Sequence, residues 1–136
     1  MPGKTRSKAP IGRPEEIPPD TVVHRIGGGS VANLRLSPLD AQQTPPGISV
    51  LLHGTPQEAA AQMRRAFPGT RKWRETAHTV GTTTAAAIRE VGFAIVPDPT
   101  TRFPNHARLI HPQGVSGFAD EHLATLAATF RNTAGC

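Results

Sequence analysis

Prolines and glycines punctuate this chain so closely that long regular elements have little room to form. Fourteen prolines and 13 glycines are spread over 136 residues. Proline lacks the N–H that a helix or ladder needs, and glycine loses the most conformational freedom on ordering. The chain must therefore fold as many short elements with firm stops. Its length points to one domain, with about two-thirds of the unfolded surface buried. Aromatic residues are few: five Phe, one Trp and no Tyr. The core must be built from Leu, Ile, Val and Ala.

The elements can be read between the stops. Residues 1–20 form a basic, proline-rich arm with too little apolar surface to offset its ordering entropy, so a flexible segment is expected before a single domain at 21–136. "TVVHRI" (21–26) reads as a first strand, and "GGGS" (27–30) breaks it. "VANLRL" (31–36) reads as a short extended or single-turn piece. "SPLDAQQTPPG" (37–47) reads as a loop, and "ISVLL" (48–52) as a compact apolar strand. "TPQEAAAQMRRAF" (55–67) carries the strongest helix signature. Thr55 caps it, Pro56 takes the first helical position, and Glu58 completes a Thr-x-x-Glu capping box. Ala59, Ala60, Met63 and Phe67 share one face.

Residues 70–80 fit either a strand or a helical turn. "GTTTAAAIREVG" (81–92) predicts a helix capped by a threonine and closed by Gly92. "FAIV" (93–96) and "ARLIH" (107–111) predict strands. In the second, Leu109 and His111 face one way, and Arg108 and Ile110 the other. Residues 119–132 predict a helix capped by Asp120 or Ser116, with Leu123, Leu126, Ala127 and Phe130 as its buried stripe. Strands and helices are interspersed, but the loops are too short for regular parallel crossovers. The expected class is α+β: a small, mainly antiparallel sheet with two or three helices packed on it.

Several chemistries find no support in the residues. The single cysteine, Cys136, excludes a disulfide within the chain and a thiolate metal site. Of the six histidines, none forms a standard zinc spacing, and His106 and His111 should point to opposite faces of their strand. No apolar run approaches 18 residues, so no membrane contact is expected. The N-terminus has no apolar signal core, which places the protein in the cytoplasm or on an export route that ignores signal peptides.

Net charge is +5, so an anionic partner is plausible. Arg64, Arg65, Arg71, Lys72 and Arg74 gather around Trp73, a composition that grips a phosphate backbone and stacks on a base. A solvated helix end, with cations placed by the helix dipole, gives the same pattern. On this alternative the chain is a non-enzymatic basic module contacting nucleic acid or a partner protein in a bacterial toxin or defence system. A small structural or immunity-type protein would share the composition. "GGGS" alone is a turn: it meets neither the P-loop nor the dinucleotide fingerprint.

The order of features resembles the compact ADP-ribosyltransferase-like fold, especially the small bacterial toxins that include type VI secretion effectors. The residues carrying the likeness are Arg25 at the end of the first strand with His24 beside it, Gly27–Gly29, the "GISV" strand bearing Ser49 and running into a helix, and "NHARLIHP" before a terminal helix. It spans residues 22–131. It implies a protein that binds or consumes NAD, by ADP-ribosyl transfer or NAD hydrolysis, and a cognate immunity or antitoxin protein. Arg25 would pair with the pyrophosphate, with Gly27, Gly28 and Gly29 allowing close approach. Ser49 would hold the nicotinamide ribose. The glutamate usual on the late strand is absent, and His106 or Asn105 stands in its place. The implied catalytic residues are Arg25, Ser49 and His106, with Asn105 also against the cofactor.

Overall fold

The computed structural model describes residues 17–68 and 79–134. Strand β1 (Val22–Ile26) leads through two short helices, α1 (Val31–Leu34) and α2 (Pro38–Gln42), to β2 (Gly47–Leu52) and helix α3 (Pro56–Ala66). Then come β3 (Thr79–Thr84), α4 (Ala85–Glu90), β4 (Ala94–Pro97) and β5 (His106–Ile110). A 3-10 turn at Gly114–Phe118 precedes α5 (Asp120–Ala127) and β6 (Arg131–Ala134). The strands form one six-stranded sheet in the order β4-β5-β2-β1-β3-β6. Every pairing in it is antiparallel. The α+β expectation therefore holds.

Each face of the sheet is covered differently. Val23, Ile48, Val50, Leu52, Leu109 and Ile95 pack against Leu34, Ile88, Leu123 and Leu126 in the main core. On the opposite face Leu51 and Val80 meet Ala59 and Ala60 of α3 in a smaller cluster. β2 lies between the two layers, which is why its sequence is apolar nearly throughout. Its one exposed residue is Ser49.

Local chemistry accounts for the helix starts. α3 begins as the sequence dictates: Glu58 N–H donates to Thr55 Oγ1 at 3.1 Å and Thr55 N–H to Glu58 Oε1 at 2.8 Å. The same reciprocal box, Ser37 with Asp40, starts α2 inside the segment expected to be a loop. "VANL" forms a single turn capped by Ser30.

Three expectations are corrected. The threonines of "GTTT" extend β3, where β-branched side chains fit the pleat, so only Ala85–Glu90 is helical, with Thr84 as its cap. The terminal helix stops at Ala127, and its start has no side-chain cap. The Asp120 carboxylate instead pairs with exposed Arg35, and residues 131–134 add an edge strand. Finally, the domain begins before residue 21. Ile17 is buried in the core, its carbonyl accepts from Arg89 at 2.7 Å, and the Pro19 carbonyl accepts from Ala86 N–H.

The Gly27–Gly29 loop is explained by packing. Gly27 and Gly28 have φ of 95° and 102°, a region open mainly to glycine. The loop folds back over Gly81 of β3, where an added Cβ would lie 2.5 Å from Gly29 N. An added Cβ at Gly29 would itself lie 2.4 Å from Phe130. No side chain fits between these surfaces.

Candidate functional site

The β1–β2 ladder joins Val23 to Leu52 and His24 to Leu51, and goes no further. Where it ends, the sheet opens into a cavity of about 370 Å³. Its polar wall is formed by His24, Arg25, Asn33, Ser49, Thr100 and His106. Ile26, Val50, Leu51, Met63 and Phe103 form the apolar wall. Arg25, Ser49 and His106 come from β1, β2 and β5, three strands far apart in the chain, and they meet here.

The Arg25 side chain occupies the position where the ladder would have continued. Nη1 donates to the Ser49 carbonyl at 2.8 Å. Nε and Nη2 both donate to the Asn33 carbonyl, at 3.0 and 2.7 Å. The guanidinium thus satisfies one carbonyl of β2 and one of α1 at the split and is held as part of the wall. Burial lowers its pKa from the ordinary arginine value, and the more distant Asp40 carboxylate works in the opposite direction. No carboxylate among the described residues forms an ion pair with it. A half-buried guanidinium that, among the described residues, is held by neutral carbonyls favours an anion in the cavity beside it.

Asn33 is the residue that sequence reasoning missed. Its side-chain amide donates to the carbonyls of Ile26 at 3.0 Å and Gly28 at 2.6 Å. It thereby fixes the glycine turn while its own carbonyl anchors Arg25. The only signal was its place in a short turn just after "GGGS".

The two cavity histidines are held differently. His24 is fully buried. Its Nε2–H is shared between the carbonyls of His53 at 3.1 Å and Gly54 at 2.9 Å, and Nδ1 accepts from the Thr82 hydroxyl at 2.9 Å. Burial pushes its pKa below the ordinary histidine value, against the opposing pull of those carbonyls and Glu58. This is a neutral structural imidazole that clamps the β2–α3 turn, where His53 sits at a left-handed φ of 71°. His106 donates Nδ1–H to the Asp98 carbonyl at 2.8 Å. That bond sets the neutral tautomer and leaves Nε2 as the basic nitrogen.

The remaining predicted residues lie elsewhere. Asn105 donates to the Leu52 carbonyl at 2.9 Å and pairs amide to amide with Gln62, so it secures β5 to β2 and α3 and takes no part in the cavity wall. Gly27, Gly28 and Gly29 are also absent from the wall, and their N–H groups are committed inside the fold. They donate to the Thr79 carbonyl, the Arg25 carbonyl and the Asn132 side chain. They shape the turn and are not placed to cradle a phosphate. His111 faces away from His106, as the strand period requires, and packs edge-on against Phe93 and parallel to His122. In the basic cluster, Arg64 and Arg65 lie in the last turn of α3. Arg71, Lys72, Trp73 and Arg74 fall outside the described residues.

Among the described residues no helix is long and apolar enough to cross a membrane. A scan against protein-family models and searches of curated proteins and of solved structures found no match to this chain.

Proposed function

We propose that the chain binds NAD in this cavity and hydrolyses the bond between its nicotinamide and ribose, as a toxin-like enzyme. The observation that carries this reading is the convergence of Arg25, Ser49 and His106 on one cavity. The likeness to ADP-ribosyltransferase-like toxins singles out these three residues from strands far apart in sequence.

Each wall residue has a role on this reading. Arg25, already fixed by two carbonyls, meets the pyrophosphate with a charge that no carboxylate among the described residues neutralises. Phe103, Met63 and Leu51 give the planar nicotinamide an apolar, water-poor seat. The Ser49 hydroxyl, which bonds to no described residue, holds the ribose. In the reaction the bond between ribose C1′ and the nicotinamide nitrogen breaks, and its electron pair neutralises the pyridinium. A water adds to C1′, and its proton passes to His106 Nε2. Among the described residues the wall has no carboxylate to stabilise the cationic ribose, which favours water as the acceptor over transfer to a protein side chain.

The test is to incubate the purified chain with NAD and follow nicotinamide release by chromatography. Release by the wild type, reduced roughly 10²-fold or more in Arg25→Ala and in His106→Ala, is the expected result. Equal release by wild type and Arg25→Ala, or none by either, would overturn the reading.

A further inference from the structure

The anion missing from the cavity wall lies one residue behind it. Asp98 follows β4, and its side chain is only 2 % exposed. Its Oδ2 stands 3.5 Å from His106 Nδ1, the nitrogen that donates to the Asp98 carbonyl. The Asp98 N–H in turn donates to the His106 carbonyl at 2.9 Å. The two residues are thus locked backbone to backbone and side chain to backbone, with a carboxylate beside the imidazole on the side away from Nε2.

We propose that Asp98 is the positioning residue for His106: its buried carboxylate stabilises the imidazolium formed when His106 takes a proton from the attacking water. The inference rests on the proposed NAD hydrolysis for its chemistry, but the pairing has a readout of its own. The tautomer is already set by the backbone carbonyl, so the carboxylate acts on charge. A negative charge at this distance in a poorly solvated site favours the protonated ring. It also supplies at one remove the negative charge that the wall lacks.

The other described groups around the imidazole act against Asp98 or are neutral. From β1, Arg25 across the cavity disfavours a second cation, and His24 is held neutral. Facing from β2 are Leu51, the cross-strand partner of His106, and Ser49. α3 contributes Met63 and Gln62, with Arg64 next along the helix. The 98–105 loop contributes Thr100 and Phe103 besides Asp98, while its Arg102 sits over the Phe67 ring. Arg108 lies two residues along the strand, its guanidinium bonded to the Pro45 carbonyl. Among the described residues, Asp98 is the carboxylate placed against the ring.

The test has two arms, run on the full chain. In the first, His106 is titrated by NMR without NAD in the wild type and in Asp98→Asn. The midpoint should fall in the variant, by about one pH unit for a differential interaction of roughly 1.4 kcal/mol. An unchanged midpoint overturns the inference whether or not NAD is a substrate. Should Asp98→Asn fail to fold, the wild type decides: His106 should titrate above both His24 and His111, and a midpoint at or below theirs overturns the inference. In the second arm, kcat for nicotinamide release should fall roughly 10–10²-fold in Asp98→Asn with KM little changed. Adding Asp98→Asn to His106→Gln should cost nothing further. A further loss in the double variant, or a change confined to KM, would contradict a role exerted through His106. Absence of turnover in the wild type would count against the hydrolysis and leave the titration arm to decide the pairing.

Discussion

Replacing His24 with alanine should unfasten the turn on which α3 begins. The imidazole is fully buried and serves three partners: the His53 and Gly54 carbonyls through one shared N–H, and the Thr82 hydroxyl through Nδ1. A buried polar group left without a partner costs about 1–3 kcal/mol. Here the ring lines the cavity, so water entering from it would replace part of the loss. The clamp also holds His53 in a left-handed conformation that a residue with a side chain rarely adopts. A net loss of roughly 2–3 kcal/mol is expected. For a chain of this length that lowers Tm by about 6–15 °C. Thermal and urea unfolding near neutral pH, followed by circular dichroism, measure it. A loss below about 0.5 kcal/mol would refute the clamp. The same ring predicts the direction of the pH dependence. Burial holds the folded-state pKa of His24 below its ordinary value of 6.5, so the unfolded chain binds the proton more tightly. His111 is shifted the same way, by burial first and then by His122. Their contribution is complete above pH 6.5 and is lost as the pH falls through their lower folded-state values. Wild-type stability should therefore decline below pH 6.5, and the slope should be shallower in His24→Ala.

Four further outcomes follow from the same geometry. Thr55→Ala removes one half of the capping box on α3 and should cost about 1 kcal/mol in urea unfolding, with no change in m-value. Gly81→Ala would force a Cβ to within 2.5 Å of the Gly29 backbone and should destabilise by more than about 2 kcal/mol. Gly114→Ala, at φ 64° with open space around it, should cost about 1 kcal/mol by the same assay, and equal losses at the two glycines would contradict the packing account. Asn33→Ala should loosen the glycine turn and Arg25 together, so hydrogen exchange at Gly28 and Gly29 should quicken along with any loss of ligand affinity.

The sequence made some parts of this fold plain and hid others, for physical reasons. α3 was legible because its signals are local: Thr55, Pro56 and Glu58 fix its start whatever else the chain does. The apolar run of β2 was equally plain. β3 was hidden because "GTTT" runs straight into "AAAIRE", and its pairing with β1 is a long-range choice. α2 was hidden because Pro38, the nearby Pro45–Pro46 pair and a polar composition read as loop, although Ser37 and Asp40 form the same box that was recognised at Thr55. At the site, Arg25, Ser49 and His106 were named by resemblance, and spacing alone would have left the 98–106 stretch as a loop between strands. The resemblance set Asn105 against the cofactor, but its side chain is committed to Leu52 and Gln62 at the strand junction, one residue before His106. The residues read the glycines as a turn and the resemblance read them as a cofactor contact, because glycine required by packing and glycine required by a ligand look alike in sequence. Asp98 carried no signal, since its role depends on β4 and β5 lying side by side.

On the proposed function a half-buried, carbonyl-held guanidinium at the sheet's split receives the pyrophosphate of NAD. NMR on the Arg25 Nε–H during NAD titration tests it most directly. We expect a saturable shift of that resonance together with those of Ser49 and His106, abolished in Arg25→Met. Binding that leaves these three unmoved, or that survives in Arg25→Met at undiminished affinity, would contradict the account.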